Sequence, residues 1–106
     1  MKTSNLNDSY KGWFAGNYKK AFHPCEGAEV AVKHHKAGEI MPAHKHHIVT
    51  ETMVVVTGKV RINGRIFSAG DLIMVEPGEV AEYAWLEDSI TVLVKTPSAP
   101  DDKTFV

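Results

Sequence analysis

The chain has 106 residues and a mass of 11.7 kDa, which is room for one domain. Hydrophobic residues make up 43% and charged residues 24%, with a net charge of -1, a balance that excludes intrinsic disorder. The longest apolar runs, Met53 to Val56 and Leu72 to Val75, are too short for a transmembrane helix, and MKTSNLNDSY lacks the apolar stretch of a secretory signal.

In chain order the residues read as short strands separated by turns. Residues 1–28 hold Trp13, Phe14, Tyr18 and Phe22, too many aromatics for a free tail, and are expected to form an arm packed on the barrel or on a second subunit. Val30, Val32 and His34 alternate with Ala31 and Lys33 up to Gly38. Thr50 to Thr57 is β-branched or apolar and closes at Gly58. Lys59–Ile62 and Arg65–Phe67 flank Asn63-Gly64, a strong hairpin signal. Gly70-Asp71 leads into Leu72–Val75, Glu76-Pro77-Gly78-Glu79 turns into Val80–Trp85, and Glu87-Asp88-Ser89 turns into Ile90–Val94. Turns every eight to twelve residues with no helix between them predict an all-β sandwich or barrel over 29–96. Residues 97–106, with two prolines and two aspartates, are expected to form a short tail tied down by Phe105.

Charge drifts along the chain, from +3 over 1–36 to +1 over 37–75 and -5 over 76–106. No dense basic run or basic–aromatic alternation occurs, so neither nucleic acid nor a membrane is an expected partner. Cys25 is the one cysteine, which excludes an internal disulfide and fits a reducing, cytoplasmic setting.

Histidine is the residue type in excess. Five of the six (His34, His35, His44, His46 and His47) fall within fourteen positions. His44 and His46 are two apart on a strand pattern, so both rings point to one side, and Glu51 opens the next strand. Two imidazoles and a carboxylate suit Fe, Mn, Ni, Zn or Co and leave coordination positions open. His-x-His alone is also what a solvent-facing strand would carry. His47 should point the opposite way, and His23 carries no argument beyond the surface. Of His34 and His35 one must face inward; phase with Val30 and Val32 selects His34, either lining the pocket or as a core or interface histidine. Met53 and Val55 share the face of Glu51, Tyr83 and Trp85 offer aromatic walls, and Arg61 lies on an exposed face.

The spacing Gly38-x5-His44-x-His46-x4-Glu51-x6-Gly58 resembles, position by position, the first motif of the cupin superfamily. That resemblance implies a jelly-roll barrel (a double-stranded β-helix) of two antiparallel sheets, with His44, His46 and Glu51 as ligands of a divalent transition metal inside it. The second family motif, Gly-x5-Pro-x-Gly-x2-His-x3-Asn, is degraded here. It begins at Gly70, but Ala81 or, with one inserted residue, Glu82 stands where the further histidine belongs. Either three protein ligands remain, or Glu82 supplies a fourth through a bulged strand. The resemblance is compatible with a metal-dependent enzyme on a small oxygen-rich molecule, with dioxygenase or isomerase chemistry among the options. It is also compatible with a non-catalytic module binding a small ligand such as a sugar, and with a metal-free structural dimer. A homodimer is expected from the way small cupins bury strand faces.

Overall fold

The structure, a computed structural model, describes residues 1–106. After a 3-10 turn at Leu6–Asp8 come eleven strands: β1 Trp13–Gly16, β2 His23–Pro24, β3 Glu29–His35, β4 Ile40–His46, β5 Thr50–Thr57 and β6 Lys59–Ile62, then β7 Arg65–Ser68, β8 Leu72–Val75, β9 Ala81–Trp85, β10 Ser89–Thr96 and β11 Lys103–Phe105. They form a six-stranded sheet, β2-β1-β3-β10-β5-β8, facing a five-stranded sheet, β11-β4-β9-β6-β7. All pairings are antiparallel except the short one between β1 and β2. The all-β architecture expected from the spacing of turns, and the jelly roll that the resemblance implies, are the fold observed.

Local chemistry accounts for the elements. Asn63 and Gly64, at φ 48° and 82°, take the left-handed turn that two-residue hairpins require and join β6 to β7. Gly58, between β5 and β6, has φ 94°, and a Cβ there would lie 2.0 Å from Ser89 Oγ and 2.6 Å from the Asp88 carbonyl. Conformation and space both demand glycine at that position. The core lies between the sheets, where Ala31, Met53, Val55 and Leu93 of one meet Val60, Ile62, Ala81, Tyr83 and Trp85 of the other.

Both chain ends are built into the sheets. The arm supplies β1, which pairs with β3, and Trp13 packs on the core. The tail supplies β11, which pairs with β4 in the register Lys103↔His46 and Phe105↔His44. Phe105 itself is exposed, so backbone pairing rather than burial of that ring ties the tail down. Asp102 adds a second tie: its Oδ2 accepts the backbone N–H groups of His47, Ile48 and Val49 at 3.1, 2.9 and 3.1 Å.

Candidate metal centre

β4 and β5 deliver the polar side chains, and their register decides which way each points. On β5, Glu51, Met53 and Val55 face inward, as strict alternation from Glu51 requires. On β4 the alternation breaks. Met41 pairs with Tyr83 and His44 with Ala81, so β4 uses one residue more than β9 between these pairs. This bulge falls at Pro42–Ala43, where Pro42 has no N–H to give the ladder. It lets Met41 and His44 reach the same cavity despite their odd separation.

His44, His46 and Glu51 converge. Their donor atoms lie within 4.8 Å of one another, and the residues are only 3%, 3% and 5% exposed. His44 Nδ1 is 2.9 Å from the Pro42 carbonyl. A carbonyl only accepts, so Nδ1 carries the proton and Nε2 keeps its lone pair for the cavity. Burial, above all, holds the His44 pKa below its ordinary value, which keeps the ring neutral. His46 Nε2 is 3.2 Å from Glu51 Oε2, yet neither His46 ring nitrogen makes an aligned hydrogen bond. On its other side, His46 Nδ1 faces Asp102 Oδ2 at 3.9 Å. Burial pushes the Glu51 carboxyl upward, but the combined effect of His46, Lys95 and His44 prevails, and its pKa is held below the ordinary carboxylate value.

The donor set fits a divalent transition metal. Two imidazoles and an ionised carboxylate converge, and the buried His46 ring has neither nitrogen in an aligned hydrogen bond, a costly arrangement that a ligated ion relieves. The group could therefore hold a metal ion. Around it is a cavity of about 160 Å³ walled by Trp13, His35, Met41, Met53, Tyr83 and Trp85. Burial raises the Tyr83 hydroxyl well above its ordinary pKa, so it stays protonated. A wider, shallower depression of about 610 Å³ lies on the outside along Leu6–Gly12 and shares Lys33, His35 and Glu39 with the cavity, but none of the three converging residues.

Three expectations need correction or sharpening. Glu82 is exposed on the outer face of β9, its N–H bonded to Asn63 Oδ1, so it does not join the triad as a fourth ligand. Ala81 faces inward instead, directly opposite His44, and offers a methyl group only. His34 is exposed, while His35 faces inward in phase with Glu29, Ala31 and Lys33. His35 stacks on Trp85 with ring centroids 3.8 Å apart and planes 9° from parallel, and its Nδ1 is 2.8 Å from Glu39 Oε2. Sequence reasoning missed His35 and Glu39; the spacing i, i+4 across the turn at Gly38 was the available signal. It also missed Lys33 and Lys103, whose inward placement no hydrophobic pattern announces.

No family model matches the chain, and no curated protein sequence matches it. Solved structures do. A conserved protein with a double-stranded β-helix domain from Klebsiella pneumoniae is 25% identical over 76% of this chain and 71% of its own, with a TM-score of 0.68. An RmlC-like cupin from Shewanella frigidimarina is 20% identical over 72% of this chain and 71% of its own, TM-score 0.65. Oxalate decarboxylase from Bacillus subtilis is 22% identical over 76% of this chain and 24% of its own, TM-score 0.65. The chain has the cupin-type double-stranded β-helix fold of these structures, and its barrel brings His44, His46 and Glu51 together and sets only Ala81 opposite His44.

Proposed function

We propose that the protein holds a divalent transition metal (Fe, Mn, Ni, Zn or Co) at His44, His46 and Glu51 and acts on a small oxygen-rich molecule in the adjoining cavity. The observation that carries this reading is the convergence of three buried donors around a histidine with no hydrogen-bond partner. Bound there, such an ion would serve as a Lewis acid for charge developing on a ligand oxygen. His44, fixed by the Pro42 carbonyl, presents Nε2, and Glu51 presents an ionised oxygen. The apolar and aromatic walls exclude water from whatever occupies the space beside them.

His35 favours an enzyme over a binding module. The Glu39 carboxylate accepts from Nδ1, so Nε2 is the nitrogen free to take a proton from a bound molecule. Trp85 fixes the plane of the ring, and burial keeps it unprotonated. A small-ligand carrier would have no use for an oriented base in its cavity. We place the protein in the cytoplasm, where the free Cys25 thiol is stable.

The same reading includes a homodimer. On the outer face of the six-stranded sheet, Val32, Val92, Val54 and Leu72 form one cross-strand row, and Val30, Val94, Thr52 and Met74 a second. In these rows the valines are half-buried, and Leu72 and Met74 are 74% and 60% exposed. A second copy related by a two-fold axis would cover them with its own apolar rows.

Metal content separates these ideas from a metal-free barrel. Protein purified without chelators and assayed by plasma mass spectrometry should carry close to one metal per chain, and His46→Ala should carry almost none at an unchanged fold by circular dichroism. Equal metal in both, or none in the wild type after incubation with each metal, would sink the reading.

A further inference from the structure

The interior also carries charge of the opposite sign. Lys33 on β3 is in phase with inward Ala31 and His35, and Lys95 on β10 with inward Thr91 and Leu93. Lys103 on β11 stands opposite His46 in the ladder. Trp13 gathers two of them, with Lys33 Nζ 5.6 Å and Lys95 Nζ 4.8 Å from its ring centroid. Lys33 and Lys103 line the same cavity as His44 and Glu51.

None of these lysines pairs with a carboxylate. Lys33 Nζ donates one hydrogen to the Lys11 carbonyl at 2.8 Å, and Lys103 Nζ has only the Met41 sulfur, at 3.9 Å. The nearby acids are otherwise engaged: Glu39 with His35, Glu29 with the Ser98 hydroxyl at 3.1 Å, and Glu51 beside His46. Burial, and then repulsion from neighbouring lysines, hold Lys33 and Lys103 below the ordinary lysine pKa, against the opposing charges of Glu39 and Glu51 respectively. Glu39 and Glu51 line the same cavity but form no ion pair with either lysine, so the half-buried ammonium groups stay incompletely compensated, and an anion that enters between them relieves that cost. The enclosed space, about 160 Å³, is roughly five water molecules' share of the liquid.

We infer that the cavity takes a small organic acid, its carboxylate held by the ammonium groups of Lys33 and Lys103 while another of its oxygens turns toward His44, His46 and Glu51. The second contact rests on the metal reading proposed above; the first rests on the lysines alone. Lys95 adds positive potential without lining the cavity. The acid sits with its carbon skeleton against Trp13 and Met41, and its charge selects it over neutral isosteres.

The test is calorimetric titration with acetate, glycolate and malonate against acetamide, glycolamide and malonamide, with metal content measured on each sample. At least one acid should bind wild-type protein ten-fold or more tightly than its amide. Lys33→Met/Lys103→Met, which keeps most of the apolar stems, should lose at least ten-fold in acid affinity and leave metal content unchanged. Equal affinity for acid and amide, no binding by any acid, or undiminished binding in a folded double variant would overturn the inference. The acid–amide comparison in the wild type decides the matter if the double variant does not fold. Acid selectivity in protein that holds no metal would sustain the lysine site and sink the metal reading; a metal-loaded protein blind to charge would do the reverse.

Discussion

The two nitrogens of the His35 ring have different employment. Nδ1 is committed to Glu39, whereas Nε2 has no partner in the chain, and the ring plane is fixed by Trp85. Burial lowers the His35 pKa below 6.5, and the hydrogen bond and charge of Glu39 oppose that shift without cancelling it. Nitrogen-15 NMR should therefore find the neutral Nδ1–H tautomer at pH 7 and a titration midpoint below 6.5. Glu39→Gln should move the midpoint lower still, since it removes the charge and leaves only an uncharged acceptor for Nδ1–H. A wild-type midpoint at or above 6.5 would remove the oriented base. Alternation in the sequence established that only one of His34 and His35 faces inward, but phase with Val30 and Val32 pointed to the wrong one. Those valines belong to the apolar outer face of the sheet, while the inner face carries Glu29, Lys33 and His35. Hydrophobic phase identifies the inside only when the outside is polar.

The β4–β5 connection shows how an element borrows order from elsewhere in the chain. His46 ends one strand and Glu51 lies in the next, and the loop between them presents three N–H groups in succession to one carboxylate, that of Asp102. A second strut comes from Gly78, whose N–H donates to the His46 carbonyl at 2.8 Å. Hydrogen bonds to a charged acceptor are each worth about 1.5–3 kcal/mol, and groups left without partners cost more than the bond alone. Asp102→Ala should therefore lower unfolding free energy by about 2 kcal/mol or more in urea titrations and weaken metal binding. Asp102→Asn, which retains an acceptor oxygen, should lose less. An Asp102→Ala protein as stable as wild type would show that the tail merely lies against the loop. The spacing of glycines, histidines and glutamate was legible in the sequence because it is local. Asp102 was not, because its partners lie more than fifty residues away, and neither was the bulge at Pro42–Ala43, which becomes visible only against β9.

At the scale of the whole molecule, turn chemistry and strand alternation were enough to specify two facing sheets, since each hairpin is closed by residues suited to its own turn. What the sheets leave uncovered says more about assembly. The apolar rows of the six-stranded sheet predict that light scattering will give about twice the 11.7 kDa of one chain, and that Leu72→Glu/Met74→Glu will return it to the monomer mass. A wild-type monomer would contradict the dimer and leave the outer face without an explanation. The central claim concerns the interior, and anomalous scattering addresses it most directly. Crystals grown with Mn, Fe, Ni, Zn or Co and measured at that metal's absorption edge should show one strong peak per chain, at bonding distance, about 2.0–2.2 Å, from a ring nitrogen of His44, a ring nitrogen of His46 and a Glu51 oxygen. A barrel with no peak, or a peak held by other residues while these three stay unligated, would contradict the account.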